Sequence, residues 1–240
     1  MYVRMKKIVV LTGAGVSAES GISTFRDSNG LWEQYNVEDV ATPEGWQRNP
    51  ALVTEFYNER RRQLLTVEPC EAHRILADLE RDYLVTVVTQ NVDNLHERAG
   101  SSHVVHLHGE LMKVTSSLNP NDPRYIRTLD ASEIEVKMGD TCDDGSQVRP
   151  FVVWFGEAVP NIELAAELCS QADIFIVIGT SLNVYPAAGL IKYVPVQSPI
   201  YLIDPKPVQW SSARSYTHIQ KGASEGMREV CRLIWERSRM

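Results

Sequence analysis

The stretch that decides the fold is Val9-Val10-Leu11-Thr12-Gly13-Ala14-Gly15-Val16-Ser17-Ala18-Glu19-Ser20-Gly21-Ile22-Ser23-Thr24-Phe25-Arg26-Asp27. With Ile8 in front of it, the apolar run reads as a buried strand. Two glycines follow at once, and then a short polar segment able to begin a helix. Strand, tight glycine turn and helix start together make an anion cradle. Glycine lets the backbone approach a phosphate, and the free N–H groups of the first helical turn point at it. The spacing Gly13-x-Gly15-x-x-Ala18 fits the loose dinucleotide fingerprint. A Gly-Ala-Gly turn also ends strands that bind nothing, so the spacing alone leaves both readings open. Ser17 and Glu19 read as helix-start residues.

Outward from this stretch the pattern repeats. Residues 50–65 read as a helix, with Leu52, Phe56 and Leu64 apolar and Glu55, Glu59, Arg61 and Arg62 on a charged face. Residues 69–82 read as a second helix, with Ile75, Leu76 and Leu79 spaced for one face. Short apolar runs at 84–88, 104–107, 151–154, 174–178 and 200–203 read as strands, and 161–170 and 223–237 as helices. Alternating strands and helices predict an α/β fold, a doubly wound parallel sheet with ligands at the strand C-termini. Residues 13–17, 90–93, 108 and 179–181 all fall just past expected strands. Two segments break the alternation: residues 27–67, which include a loop through Asn29-Gly30-Leu31-Trp32, and the polar, turn-rich residues 113–150.

The 240-residue chain is 43% hydrophobic and 23% charged, the composition of an ordinary globular protein with a sizeable core. Its net charge of −7 argues against a nucleic-acid partner held by bulk electrostatics. No apolar run is long enough for a membrane helix, and the one behind the basic start breaks at Gly13, too early for a secretion signal. A cytoplasmic protein is expected. The four cysteines, Cys70, Cys142, Cys169 and Cys231, form no CxxC pair and read as free thiols.

The opening stretch resembles the signature of the sirtuins, the NAD-dependent protein lysine deacylases. Four further stretches match that family in order: Thr89-Gln90-Asn91-Val92-Asp93-Asn94-Leu95-His96, Leu107-His108-Gly109-Glu110, Val153-Trp154-Phe155-Gly156-Glu157 and Gly179-Thr180-Ser181-Leu182-Asn183-Val184. The resemblance implies a Rossmann-like part, about residues 1–27, 68–112 and 151–240. It implies a smaller module built from two insertions, about residues 28–67 and 113–150, with the substrate in the cleft between. It also implies NAD, acylated protein lysines as partners, and the products free lysine, nicotinamide and O-acyl-ADP-ribose. A monomer that binds neither nucleic acid nor membrane is expected.

Residue by residue, the resemblance puts Gly13, Ala14 and Gly15 on the pyrophosphate, with Glu19 close by and Phe25 and Arg26 in a loop that covers the cofactor. Asn91 and Asp93 line the nicotinamide pocket and Gln90 contacts the ribose; read from sequence alone, Asn91 and Asp93 cap the next helix. Gly179, Thr180 and Ser181 suit the other side of the dinucleotide. Asp204 is a candidate for the adenosine ribose, and Gly222 and Ala223 for the border of the adenine. His108 is the expected catalytic base. It follows a strand and precedes Gly109, and its near-neutral pKa suits proton transfer at pH 7. His103 and His106, on the same segment, are left structural. Val153, Phe155 and Gly156 offer an open backbone edge, and the substrate peptide is clamped between it and Val184 and Tyr185. The alternative for that stretch is an ordinary core strand.

Two features bear on subtype. Most sirtuins hold a structural zinc with two cysteine pairs in the second insertion; here that insertion contains only Cys142 and no histidine. Four ligands cannot be found, so no zinc is expected, and the small module has to be held by packing alone. Tyr57-x-x-Arg60 matches the pair that marks the desuccinylase-type (class III) sirtuins, and Ala41 matches their small pocket residue. Tyr57 and Arg60 share a helix face, where arginine grips a terminal carboxylate and the tyrosine hydroxyl adds a hydrogen bond. Against this stands the plainer reading of Arg60, Arg61 and Arg62 as one solvated basic patch paired with Glu55 and Glu59. Four other functions compete: a plain deacetylase, ADP-ribosyl transfer within the same family, a non-catalytic module that binds NAD or acyl-lysine, and an NAD-dependent dehydrogenase. The last lacks an acidic residue at a second strand end about 20 positions past the glycine turn.

Overall fold

A computed structural model describes residues 4–22, 35–208, 214–237 and 239. Phe25 and Arg26 lie outside the described residues, as does the expected loop at 29–32. The large part is built on a six-stranded sheet: β1 (Lys7–Thr12), β2 (Leu84–Thr89), β3 (Val104–His106), β7 (Ile174–Ile178), β8 (Ile200–Ile203) and β9 (Thr217–Ile219). Its order is β3-β2-β1-β7-β8-β9, and every pair is parallel.

Strand β1 is central and buried on both faces, which is why it reads as an unbroken apolar run rather than an alternating one. Its side chains still alternate. Ile8 and Val10 point into one core with Leu76 and Met227. Val9 and Leu11 point into the other with Cys169 and Leu190. The first face is covered by α5 (Glu71–Leu79) and α8 (Ala223–Arg237), the second by α7 (Ile162–Ser170) and the 3-10 helix Ala187–Tyr193. The sheet is therefore doubly wound. From β1 the strand order runs one way through β2 and β3, and the other way through β7, β8 and β9. The crevice where it reverses, between β1 and β7, is where such sheets take ligands.

The second layer combines short helices with a small antiparallel sheet. Helices α2 (Val37–Val40), α3 (Pro43–Arg48) and α4 (Pro50–Thr66) precede α5. Asn36, Thr42 and Asn49 cap them by accepting N–H bonds from Glu38, Gly45 and Leu52, and prolines open α3 and α4. The sheet has the order β5-β4-β6, from β4 (Gly109–Ser116), β5 (Arg127–Thr128) and β6 (Val148–Val152).

The apolar run at 151–154 was expected to join the large sheet. It instead ends β6, an edge strand of the small sheet that contains Pro150. Proline cannot donate a ladder hydrogen bond, so an edge is where it is tolerated. The expectation that packing alone holds the second insertion also needs correction. Its apolar cluster is small: Val114, Leu129, Val136 and Val148 with Cys142. The tip is tied by Asp144, which accepts from Ser116 Oγ (2.5 Å), Ser146 Oγ (2.7 Å) and Asn119 Nδ2 (3.0 Å). Ser116 Oγ in turn accepts the backbone N–H groups of Leu118 and Asn119. Among the described residues no group of three or more His, Cys, Asp or Glu side chains could hold a metal, and no helix is long and apolar enough to cross a membrane. All four cysteines are free thiols.

Candidate active site

A cleft of about 680 Å³ runs over the C-terminal ends of the central strands and under the small module. Its floor is the crossing of two turns. Gly13 N–H donates to the Ile178 carbonyl (3.0 Å) and Gly15 N–H to the Gly179 carbonyl (2.9 Å). A Cβ on Gly15 would lie 2.6 Å from Gly179 Cα, and Gly179 itself sits at φ +60°. The small residues are therefore required first by backbone meeting backbone. A Cβ on Gly13 would also strike this wall, at Thr180 and Gly179, before anything else.

At one end of the cleft the polar residues after β2 form a closed network. Asn91 Nδ2 donates to the Gly13 carbonyl (3.2 Å) and to Ser17 Oγ (3.1 Å). Ser17 Oγ donates to Asp93 Oδ2 (2.9 Å), and Asp93 Oδ1 accepts from Leu95 N–H (3.1 Å). Asp93 thus takes the first N–H of helix α6 (Leu95–Arg98) from the position before its N-cap, Asn94, and braces Ser17 of helix α1 (Ala14–Ala18), whereas Asn91 bonds to Gly13 and Ser17 and caps no helix among the described residues. Burial raises its carboxyl pKa despite these bonds. Gln90 Nε2 donates to Thr180 Oγ1 (3.0 Å), joining the two turns.

His108 stands where β3 gives way to β4. Its Nδ1 lies 2.9 Å from the Gln90 carbonyl oxygen. A carbonyl can only accept, so Nδ1 carries the proton and Nε2 keeps its lone pair. Burial lowers the His108 pKa, opposed by the Gln90 bond, so the ring is neutral at pH 7. His106 is its opposite. Nδ1 donates to the Asn91 carbonyl (2.9 Å) and Nε2 to Glu97 (2.7 Å), which makes both nitrogens donors. Burial pulls its pKa down, but the Glu97 hydrogen bond and charge outweigh that and raise it. His106 is a charged strut under the Asn91 backbone.

The same cleft is lined by Ala41, Phe56, Tyr57 and Arg60. The three consecutive arginines are not one solvated patch. Arg61 is fully buried and donates to the Leu111 carbonyl and Asn58, whereas Arg62 is exposed and paired with Glu55 and Glu135. Arg60 faces the cleft, with its guanidinium over the Phe56 ring at 5.3 Å, one α-helical turn away. Among the described residues its Nε and Nη1 are buried without a hydrogen-bond partner, and Nη2 lies 3.5 Å from Glu59. Tyr57 accepts a hydrogen bond from Trp154 Nε1 (3.0 Å).

Val153, Phe155, Gly156 and Val184 also line the cleft, but the expected open edge is largely closed. Val153 N–H donates to the His108 carbonyl, Phe155 N–H to the Ala41 carbonyl, and Trp154 N–H to Glu157. These bonds seat the loop against the His108 segment and against Ala41. Ala14, Glu19, Ser181, Asp204 and Ala223 lie along the remaining rim. Glu19 does not start a helix. It follows the end of α1, and its carboxylate accepts from Ser224 N–H (3.2 Å) and Ser224 Oγ at the start of α8. Ser17 lies inside α1 rather than at its cap. Tyr185, expected beside Val184, shares this lining; Phe56, read from sequence only as part of the apolar face of its helix, does too, and its i, i+4 spacing to Arg60 is the signal for it.

The cleft therefore has a polar end carrying His108, a small-residue middle at the strand-order reversal, and a second rim at Asp204 and Ala223. That order of surfaces fits a dinucleotide laid across the sheet. Comparison with known proteins agrees. The Sir2 family profile matches residues 13–186. An NAD-dependent protein deacylase of Bacteroides thetaiotaomicron is 65% identical over 96% of this chain and 98% of its own. One from Helicobacter pylori is 49% identical over 94% of this chain and 96% of its own. A Sir2 homologue in complex with ADP-ribose superposes with a TM-score of 0.87 at 37% identity, covering 99% of this chain and 95% of that one. Another, a Sir2 homologue–NAD complex, superposes with a TM-score of 0.84 at 39% identity, covering 98% and 91%. On sequence and fold alike, this chain belongs to the Sir2 family.

Proposed function

We propose that the protein removes acyl groups from protein lysines in an NAD-dependent reaction, and that it prefers acyl chains ending in a carboxylate, such as succinyl or malonyl. NAD, when bound, would supply the ribose that accepts the acyl group, with nicotinamide as the leaving group. The Gly13–Gly15 and Gly179–Ser181 turns would hold its phosphates. Gln90, Asn91 and Asp93 would hold its nicotinamide half, and Asp204 and Ala223 would border the adenosine. His108 Nε2 takes a proton, since its lone pair is free and the ring is neutral at pH 7. The buried network of Asn91, Ser17 and Asp93 fixes one orientation of whatever it contacts.

The observation that carries the acyl preference is Arg60. Two of its guanidinium nitrogens are buried with no partner among the described residues, in a cleft shared with His108. Burial lowers the Arg60 pKa, and a carboxylate arriving there would take Nη1 or Nε, each in a fork with Nη2, in a charge-assisted contact. Ala41 keeps the space beside it small-walled, and Tyr57 is a second donor. A charge-assisted hydrogen bond is worth about 1.5–3 kcal/mol, or roughly ten- to a hundredfold in preference. Arg60→Met should lower kcat/KM for a succinyl-lysine peptide by that factor relative to an acetyl-lysine peptide. If both substrates fall equally, or neither does, the protein is a plain deacetylase.

A further inference from the structure

Tyr57 is held by a chain of contacts that leads away from the cleft. Trp154 is 2% exposed, and its Nε1 donates to Tyr57 Oη at 3.0 Å. Arg149, 4% exposed, lies over the indole with Cζ 3.4 Å from the ring centroid. It grips Glu157 through Nη1 (2.8 Å) and Nη2 (3.1 Å) and donates to the Val152 carbonyl (2.9 Å). Glu157 Oε2 also accepts the Trp154 backbone N–H (2.8 Å). The indole is thus pinned by its backbone and by one face, and its N–H has a fixed direction.

This fixes the sense of the next hydrogen bond. Burial raises the Tyr57 pKa to about 12, so the group is a phenol with one proton to give. Its oxygen already accepts from the indole, an N–H that can never accept in return. The phenol proton has no acceptor among the described residues, while the ring lines the cleft beside Arg60. We propose that Trp154 is a specificity-determining residue, whose indole N–H occupies the Tyr57 oxygen and so turns its O–H into the acyl pocket as a dedicated donor. The occupant this favours is an acyl chain ending in acceptors only, a carboxylate. A chain ending in a primary amide presents donors as well and is selected against. Arg149 and Glu157 act through Trp154 and are positioning residues. The inference rests on the acidic-acyl reading given above.

The test compares kcat and KM for three peptides: succinyl-lysine, its neutral terminal-amide analogue, and acetyl-lysine. Trp154→Phe keeps a ring beneath Arg149 and removes the donor. One neutral hydrogen bond corresponds to about a five- to tenfold change. The succinyl-to-amide and succinyl-to-acetyl ratios of kcat/KM should each fall by that factor, mainly through a higher KM for succinyl. In a Tyr57→Phe background the same substitution should produce no further fall, which a purely structural role would not predict. If Trp154→Phe does not fold, β-(3-benzothienyl)alanine at position 154 preserves the bicyclic shape without the N–H and should give the same result. Equal losses on all three peptides would overturn the inference, as would an undiminished effect without the Tyr57 hydroxyl. Arg60→Met, run alongside, separates the two failures. If it lowers the succinyl ratio and Trp154→Phe does not, only the role of Trp154 is lost. If neither does, the acidic-acyl reading fails and the inference with it.

Discussion

Gly15→Ala isolates the crossing of the two turns on which the cleft is built. Gly15 lies in helix α1, and by helix propensity alone alanine there would stabilise the protein by about 0.5–1 kcal/mol. The crossing opposes this. The new Cβ would lie 2.6 Å from Gly179 Cα, 2.9 Å from its carbonyl oxygen and 3.1 Å from its carbonyl carbon, all backbone atoms. Gly179 cannot rotate away as a side chain would, because its N–H is bonded to the Ile203 carbonyl and its φ is +60°. Relief requires that the ends of β1 and β7 separate, an overpacking cost of about 1–3 kcal/mol. The clash therefore wins, and net destabilisation is expected. Thermal unfolding by circular dichroism, with and without NAD, reads both consequences. The variant should melt several degrees below wild type. It should also lose most of the upward shift that NAD gives a protein binding it only when folded. A variant that melts at or above the wild-type temperature and keeps the full NAD shift would refute the close crossing as the reason for glycine.

Further perturbations probe other parts of the account. His73 is fully buried, and burial followed by the charge of Arg74 lowers its pKa from 6.5 to about 4. The unfolded chain binds the extra proton between those values. The stability it contributes is therefore complete above pH 6.5 and falls by about 3 kcal/mol as pH drops to 4. His73→Gln should flatten that part of an acid-unfolding profile, and an unchanged profile would place the loss elsewhere. Hydrogen bonds from the Ser116 and Ser146 hydroxyls, and then from the Asn119 amide and the Ser146 N–H, hold the Asp144 carboxyl well below the usual range. Its contribution is present above the ordinary carboxylate pKa and is lost as pH falls through the lowered one. Asp144→Ala should speed amide exchange at 116–119 and 141–148 at pH 7 while leaving α5 and α8 protected; uniform protection would show that the network ties nothing. The lowered His108 pKa predicts that the acid limb of kcat/KM lies below the ordinary histidine value of about 6.5, and a limb above it would contradict the buried neutral ring. Elemental analysis should find well under one zinc per chain, and stoichiometric zinc would mean ligands outside those considered.

How much of this was legible in the sequence depended on what each residue answers to. The inner strands of the large sheet are buried on both faces, so β1, β2, β7 and β8 announce themselves as short apolar runs, and the glycine turns mark the ends of β1 and β7. The small sheet is different. Strand β4 carries Glu110, Lys113, Thr115 and Ser116 among its apolar residues, and its pairing with β5 and β6 is non-local, so no window of sequence contains it. His108 could be chosen over His106 by its place before Gly109, but the tautomer could not, because it depends on the Gln90 carbonyl 18 residues away. Gly13 and Gly15 were legible as small, yet for a partial reason. The sequence suggests room for a phosphate, and the structure adds a second backbone at van der Waals limit. Arg60, Arg61 and Arg62 look alike in a row, and only the turn of α4 separates a cleft residue, a core residue and a solvated ion pair.

The central claim is tested most directly by product stoichiometry. Wild-type protein and His108→Ala are each incubated with an acyl-lysine peptide, with and without NAD, and deacylated peptide and nicotinamide are counted together. The wild type should release one nicotinamide per lysine freed and should not deacylate without NAD. Turnover should be lower by orders of magnitude in His108→Ala, which still shows the NAD thermal shift. Deacylation that proceeds without NAD, or a His108→Ala protein that turns over at the wild-type rate, would contradict the claim.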